Sequence, residues 1–311
     1  MMTLCATPPE LWICIINELG STKNASAYEL PSDSRHALSQ LCLVNTAMKC
    51  LAEPVLYTRI RINPTTLKHF SHLIGVDEAV IEHAEVEGGY LATQKARMIK
   101  SLAIDKFGDR PVEPEDLLQL ASILRAVRST VSRLFIDVLN YPSDFGEADD
   151  PAVSAFQEWK AALFELSNIE EYCFAPRPPF NNLELRPKAS SSKIKRLVML
   201  YTPLNELANT VGSLPSLEFL IVSFAGQHTV IEEDPFTFLE AGGVLKRVVV
   251  VIHSPTFPPQ TEPLRAWMRR GVCKERGFII EMPFQTSMKE IGEGKIWDHS
   301  DHAFPTRPFS L

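Results

Sequence analysis

One spacing of apolar residues occurs six times along this chain, and it limits the folds that the chain can adopt. In each copy an apolar residue is followed by a second one three positions later and by a third one two positions after that. The last two positions have the period of a β-strand, and the first can pack beneath the turn that precedes the strand. We therefore predict six short strands, at Ile99/Leu102/Ile104, Val131/Leu134/Ile136, Ile169/Tyr172/Phe174, Ile194/Leu197/Met199, Leu217/Leu220/Val222 and Leu245/Val248/Val250.

Helical patterns lie between these strands and a further strand follows them. The helices are predicted at residues 115–128, 153–167, 204–211, 235–240 and 263–270, and the further strand at residues 277–283. Strands and helices alternate at irregular intervals of roughly 20 to 38 residues. A leucine-rich solenoid and a conventional α/β sheet both show this alternation, and the recurring first position of the triplet favours the solenoid. We predict an α/β, leucine-rich-repeat-like domain over residues 61–284 and a poorly ordered polar tail over residues 285–311.

The residues that alternate with the triplet positions belong to the other face of such a sheet. If that face is concave and open, it is a surface on which a target protein can bind. The candidate target contacts are Arg133, Phe135, Asp137, Arg196, Phe219 and Arg247. The same face also carries Val198, Ile221, Val249 and Val251. These aliphatic residues indicate that part of the face is covered or binds something apolar.

The N-terminal segment, residues 1–60, predicts a small helical domain. Thr7 is a candidate N-cap before two prolines and Glu10, and the apolar residues that follow fall on one helical face up to Gly20. A polar loop over residues 21–33 leads into a second helical pattern, which starts at Asp33 or Ser34 and is followed by a third apolar segment. A unit of this size buries little core alone, so we expect it to pack on the following domain or on a partner.

The composition excludes several classes of protein. The 311 residues carry a net charge of −7, which argues against general nucleic-acid binding. The chain has neither an apolar run of about 18 residues nor a basic segment before a secretory one, so we expect it in the cytosol or the nucleus and not in a membrane. Six cysteines without a C-x-x-C pair predict reduced thiols and no zinc site: Cys5, Cys14, Cys42, Cys50, Cys173 and Cys273.

No catalytic motif is present in the sequence. It contains no phosphate-binding P-loop, no dinucleotide fingerprint, no nucleophile elbow and no zinc-binding H-E-x-x-H helix. His69 with His72, and His299 with His302, have a spacing that suits metal ligands on one helix face, but neither pair has the additional ligands that a closed site requires. We therefore predict a protein without catalytic residues, metal or cofactor.

Two runs of charged residues can be explained by their positions on helices, without a binding function. The acidic residues between 77 and 87 are typical of a solvated helix face. Basic residues between Arg265 and Arg276 surround Trp267 and are able to bind an acidic or phosphorylated peptide. Cations near the C-terminus of a helix also offset its dipole, and we favour this second interpretation.

Three runs in the N-terminal segment share a pattern with a known family. They are Pro8-Pro9-Glu10-Leu11-Trp12 with Ile15, Ile16 and Leu19; Leu41-Cys42-Leu43-Val44-Asn45; and Leu51-Ala52-Glu53-Pro54-Val55-Leu56-Tyr57. Together they resemble an F-box, the helical motif that binds the S-phase-kinase-associated adaptor of cullin–RING ubiquitin ligases. The family usually has leucine where this chain has Thr7. The last run and the long loop after the first helix are similar to many fungal F-box proteins that continue into irregular leucine-rich repeats.

The resemblance implies a function in ubiquitin transfer without catalysis by this chain. An F-box protein of this kind is the substrate-recognition subunit of an SCF-type ligase, and its adaptor-binding residues here would be Pro8, Pro9, Leu11, Ile15, Ile16, Leu19, Leu41 and Val44. Two alternatives remain. One is a stand-alone repeat scaffold whose helical unit caps the array, and the other is a hydrolase or transferase on an α/β sheet.

Overall fold

A computed structural model describes most of the chain. The described residues are 8–21, 28–76, 94–105, 112–137, 151–175, 188–200, 212–223, 245–252, 277–281, 284–293 and 295–297. Within these ranges the chain forms eight α-helices and eight β-strands in an α/β arrangement. The helices predicted at 204–211, 235–240 and 263–270 lie outside the described residues, as does the candidate N-cap Thr7.

The N-terminal residues form three helices: α1 (Pro9–Leu19), α2 (Ser32–Val44) and α3 (Thr46–Leu56). Asn45 separates α2 from α3 because its extended backbone ends one helix while its side chain begins the next, accepting a hydrogen bond from the Met48 N–H at 2.9 Å. The three helices share a small apolar interior of Ile16, Leu30, Leu38 and Ala52. The helical character predicted for residues 1–60 is thus confirmed for the described part.

The eight strands form one parallel sheet in which the spatial order follows the chain order. They are β1 (Arg59–Ile62), β2 (Ser101–Ile104), β3 (Arg133–Asp137), β4 (Glu171–Ala175), β5 (Arg196–Met199), β6 (Phe219–Ser223), β7 (Arg247–Ile252) and β8 (Gly277–Glu281). All six triplets fall on β2 to β7, and each first residue is buried just before its strand. β8 lies within the predicted range. β1 was not predicted, although Tyr57, Ile60 and Ile62 have the spacing of the triplets, because Tyr57 also ends the last apolar run of the helical unit.

A single backbone arrangement repeats at the beginning of the strands. The carbonyl oxygen of the residue before one strand accepts hydrogen bonds from two consecutive N–H groups at the start of the next strand. Lys100 accepts from Ser132 and Arg133, Glu170 accepts from Lys195 and Arg196, and Thr58, Ser132, Lys195 and Glu218 repeat the pattern. The repetition aligns the strands in register, so equivalent residues form rows across the sheet.

One face of the sheet is packed against helices. They are α4 (Leu67–Ile74), α5 (Gln94–Met98), α6 (Pro114–Val127) and α7 (Pro151–Phe164). The sequence predicted α6 and α7 to within a few positions at each end, and it predicted neither α4 nor α5. The triplet residues from β2 to β6, together with Val248 of β7, form the main core with these helices; its largest fully buried side chain is Trp159 of α7.

The other face of the sheet is covered by a second apolar cluster, to which residues between 291 and 297 contribute. After β8 the chain forms α8 (Phe284–Glu293) and a 3-10 helix (Lys295–Trp297), which bury Ile291, Ile296 and Trp297 against this face. The poorly ordered tail predicted from residue 285 is therefore not what the structure has up to Trp297. Polar and charged residues dominate that segment, so the burial of Ile291, Ile296 and Trp297 was not apparent from composition. Residues 298–311 lie outside the described part.

None of the described helices has the length and apolar character that crossing a membrane requires.

Candidate interaction surfaces

The helical unit exposes large aliphatic side chains. Leu11 is 53% exposed and Ile15 45%, and their four-residue spacing places both on one side of α1. Leu43 and Val44, at the end of α2, are 78% and 64% exposed. Among the large apolar side chains outside this unit, the described part of the chain leaves only Leu118 comparably exposed. Exposed apolar residues concentrated on one small unit are typical of a surface that binds another protein.

The other predicted adaptor-binding residues differ in how far they are exposed. Pro8 is exposed, and nothing is described of the Pro9 side chain. Ile16 is only 2% exposed, and Leu19 and Leu41 are half-buried against the same interior. The structure therefore brings Leu11, Ile15 and Val44 to the surface and uses Ile16 to hold the three helices together. The sequence pattern could not separate these roles because Ile15 and Ile16 are adjacent and equally apolar.

Polar contacts attach the helical unit to the first strands of the sheet. Arg59 of β1 donates a hydrogen bond to the Gly20 carbonyl oxygen at 3.0 Å, at the end of α1. Arg61 lies 3.1 Å from Glu29 and 3.2 Å from Asp105, and Glu29 also pairs with Arg35. Burial raises the pKa of the Asp105 carboxyl; Arg61 opposes this shift and the Glu29 carboxylate adds to it. The unit and the sheet thus share a partly buried ionic network.

The predicted target contacts lie in three rows on the second face of the sheet. Arg133, Arg196, Phe219 and Arg247 lie in one row with Glu171. The side chains of Arg133 and Arg196 are 40% and 37% exposed, and Phe219 and Arg247 are partly buried. Asp137, at the end of β3, is also partly exposed. These residues remain candidates for contact with a partner.

Phe135 lies in the next row and is buried. Its ring packs against Tyr28, with ring centroids 5.7 Å apart, and its exposure is 2%. The row continues through Ala103, Cys173, Val198, Ile221 and Val249. Tyr28 covers it from the α1–α2 loop, and Ile291, Ile296 and Trp297 are buried in the same cluster. In this structure, then, the face is covered by the chain itself, which is one of the two possibilities that its aliphatic residues indicated.

Glu171 of β4 joins the two covering segments. Its Oε1 accepts hydrogen bonds from the Tyr28 hydroxyl at 2.6 Å and from Trp297 Nε1 at 2.8 Å. Its Oε2 lies 3.6 Å from Arg196 and 3.9 Å from Arg133. The guanidinium group of Arg196 in turn lies 5.5 Å from the centre of the Trp297 ring. A carboxylate that is nearly fully buried is therefore surrounded by hydrogen-bond donors and cations, as a buried charge requires.

Burial also controls the ionisation of the groups beside Glu171. The Tyr28 hydroxyl lies 3.3 Å from the Cys173 Sγ. Burial is the largest cause that raises the pKa of both groups, and the Glu171 charge adds to it in each case. The thiol and the phenol therefore stay protonated at neutral pH. An unreactive thiol of this kind suits a packing role better than a catalytic one.

The sequence did not single out Tyr28, Glu171 or Trp297, which the structure brings together on this face. Tyr28 lies in a loop predicted to be polar, and Trp297 lies in a tail predicted to be poorly ordered. The available signal was the run of aliphatic residues on the outward positions of β5, β6 and β7. It indicated that something apolar covers the face, but it carried no information on which segment does so.

The remaining motifs do not form a second site in the described part of the chain. His69 and His72 are exposed on α4, and no group of three metal-ligating side chains occurs among the described residues. Cys14, Cys42, Cys50 and Cys173 are free thiols. His299 with His302, the acidic and basic runs, Cys5 and Cys273 lie outside the described residues.

No family model, no curated protein and no solved structure matches the chain.

Proposed function

We propose that this protein is a substrate receptor of an SCF-type ubiquitin ligase, in which residues 1–60 act as an F-box and bind the S-phase-kinase-associated adaptor. The observation that carries the proposal is the exposure of Leu11, Ile15, Leu43 and Val44 on a unit whose own interior is already formed by other residues. Burying such exposed apolar side chains against a partner favours association.

The sheet supports the second half of the proposal, an irregular leucine-rich-repeat-like array that holds the target. Its strands are parallel and follow one another in chain order, and the same carbonyl arrangement begins one strand after another. Structural units that contact mainly their neighbours are typical of solenoids. Such a receptor contributes proximity, because it raises the effective concentration of target lysines near the charged conjugating enzyme.

Co-expression with the adaptor tests the proposal directly. The wild-type chain should elute with the adaptor as a stoichiometric complex in size-exclusion chromatography, and the double variant Leu11→Asp, Ile15→Asp should not. Both positions are exposed, so the variant should keep its circular dichroism spectrum. Leu118→Asp is the matched control, because Leu118 is 43% exposed on α6, outside the helical unit.

The outcome separates the proposal from its alternative. If the folded wild-type chain does not bind the adaptor, or if Leu118→Asp disrupts the complex as strongly as the double variant does, the F-box proposal is wrong.

A stand-alone repeat scaffold is the second candidate function. The observation that favours it is the attachment of the helical unit to the first strand. α3 ends at Leu56, shortly before Thr58, whose carbonyl oxygen begins the repeated hydrogen-bond pattern, and Arg59 binds the end of α1. A unit attached in this way protects the first edge of the array, as the terminal units of solenoids do. In that case the chain is a stable monomer without affinity for the adaptor.

A further inference from the structure

We propose that residues 284–297, here called the C-terminal segment, are a displaceable internal ligand of the sheet, and that the face beneath them binds an amphipathic helical peptide of a partner protein. This inference rests on the proposed function only in identifying that partner as the target. The binding site itself is argued from the contacts of the segment.

The segment crosses the sheet rather than extending it. It leaves β8 at one edge, and Trp297 reaches Glu171 on β4, four strands away. At about 4.8 Å between neighbouring strands, this span is roughly 19 Å. A ten-residue helix such as α8 covers about 15 Å of it, and the 3-10 helix continues the path. The segment therefore lies across the strands, as a bound helix would.

The segment has an exposed side, whereas the central strands are buried on both faces. Among its described side chains, Ile291, Ile296 and Trp297 are buried, and Trp297 Nε1 donates a hydrogen bond to Glu171 while its ring lies beside Arg196. Thr286 and Lys289 of α8 are exposed. The strands β4 to β6 instead contribute buried side chains to the apolar clusters on both faces of the sheet. A helix that packs through one side opens at lower free energy than strands that are buried on both faces.

The face beneath the segment determines which ligand can replace it. Val198, Ile221, Val249 and Val251 are at most 2% exposed while the segment is in place. Without the segment they would present an apolar surface to water, so a competing ligand must supply aliphatic side chains there. Glu171 requires a hydrogen-bond donor, and Arg196 favours an aromatic ring. An amphipathic helix that ends in tryptophan meets all three requirements.

Release of the segment provides the first test. In the full-length chain, Ile296→Asp with Trp297→Ala removes two anchors without changing the sheet, and Lys289→Ala is the matched control on the exposed side of α8. The probe is a labelled synthetic peptide with the sequence of residues 284–297, followed by fluorescence anisotropy. The peptide should bind the released variant at least tenfold more tightly than the wild type or the control, because the tethered segment competes at high effective concentration. Adding Glu171→Gln should weaken binding about tenfold, the loss expected for a hydrogen bond to a charged group.

Amide hydrogen exchange on the unmodified chain provides a second test that does not depend on the variant folding. The amides of α8 should exchange at least tenfold faster than those of β4 to β6. Equal protection of α8 and these strands would show that the segment is an integral part of the core and would overturn the proposal. So would a folded, released variant that fails to bind the peptide, or one that forms a dimer by exchanging segments. Neither test involves the adaptor, so failure here is distinguishable from failure of the F-box proposal.

Discussion

Tyr28 and Trp297 donate hydrogen bonds to the same oxygen atom, Oε1 of Glu171, at 2.6 and 2.8 Å. One donor lies in the loop between the first two helices and the other ends the C-terminal segment, so opposite ends of the described chain meet over the fourth strand. The other carboxylate oxygen faces Arg133 and Arg196. One buried carboxylate therefore contacts both the helical unit and the C-terminal segment, in addition to the contacts that Arg59 and Arg61 make with the helical unit.

A double-mutant cycle measures the coupling between these two hydrogen bonds. Tyr28→Phe and Trp297→Phe should each lower the free energy of unfolding by about 1.5–3 kcal/mol, the range for hydrogen bonds to a charged group. The double variant should lose more than the sum, by about 0.5 kcal/mol or more, because either donor alone still satisfies Oε1 and the loss of both does not. Urea unfolding of the wild type, the two single variants and the double variant gives the coupling free energy between Tyr28 and Trp297.

Trp159→Phe is the control for ring size: it measures how much the free energy of unfolding falls when a buried indole is replaced by a smaller phenyl ring. The Trp159 indole is fully buried, and its Nε1 has no hydrogen-bond partner among the described residues. The difference between Trp297→Phe and Trp159→Phe therefore reports mainly on the hydrogen bond. Purely additive losses for Tyr28 and Trp297 would contradict a shared role at Glu171.

The reactivity of Cys173 reports whether Tyr28 and the C-terminal segment cover the second face of the sheet. Burial raises the pKa of this thiol, and Tyr28 lies directly against it, so Cys173 should react with iodoacetamide only when the cover opens or the chain unfolds. Cys14 and Cys50 are exposed and should react at least tenfold faster at pH 8. Mass spectrometry of labelled peptides distinguishes the sites. Tyr28→Ala should accelerate labelling of Cys173 alone; equal rates for Cys173 and Cys50 in the wild type would contradict the burial described above.

Gly20 is required where α1 ends against α3. A Cβ at this position would lie 2.4 Å from Val55 Cγ1, and a valine side chain has little freedom to move aside. Gly20→Ala should therefore destabilise the protein by about 1–3 kcal/mol, as overpacking does, and Val55→Ala in the same chain should recover part of the loss. Thermal unfolding measures both. The control is Gly212→Ala, where a Cβ meets no described residue within 4 Å and the expected change is within about 0.5 kcal/mol. Equal effects at the two glycines would refute this packing argument.

The ionic network at Asp105 predicts a pH dependence with a definite sign. Burial raises the folded-state pKa of Asp105 above 3.8, so the folded chain holds the proton more tightly than the unfolded chain does. The stabilising contribution of this group is complete below the unfolded-state pKa and is lost as pH rises through the folded-state value. Asp105→Asn has no such loss. The stability of the variant relative to wild type should therefore increase as pH rises through this window.

Urea unfolding of both proteins across the acidic range checks the Asp105 prediction. The relevant quantity is the difference between the two unfolding free energies at each pH, because other carboxylates titrate in both chains. Arg61 and Glu29 are present in both proteins, so the difference reports on the ionisation of Asp105 beside them. A difference that is constant, or that decreases with pH, would mean that attraction to Arg61 outweighs the effect of burial.

The strands were predictable because their signal is local. Each triplet combines a strand period with a buried first residue, and the in-register parallel sheet preserves both properties in β2 to β7. Two elements were missed for different reasons. β1 has the triplet spacing in Tyr57, Ile60 and Ile62, but Tyr57 also ends the last apolar run of the helical unit. α5 has only five residues, which are too few to show a helical period.

The candidate surfaces were predictable only in part. The sequence identified the apolar residues of the helical unit but could not distinguish exposed Ile15 from buried Ile16, because rotating α1 by a single position exchanges their roles. It placed Arg133, Arg196 and Phe135 on one face of a sheet. It did not show that Phe135 lies beneath Tyr28, since that contact joins residues more than a hundred positions apart.

The sequence by itself determined the alternation of strands and helices, the helical character of residues 1–60 and the apolar face of each strand, because these depend on the spacing of neighbouring side chains. Only the tertiary structure decided what covers the second face of the sheet. Tyr28 and Trp297 lie in segments whose own composition is polar, and they become ordered because Glu171, Phe135 and the aliphatic row offer partners that no local pattern reveals. A charged carboxylate that is buried needs hydrogen-bond donors, and the tertiary fold determines which residues supply them.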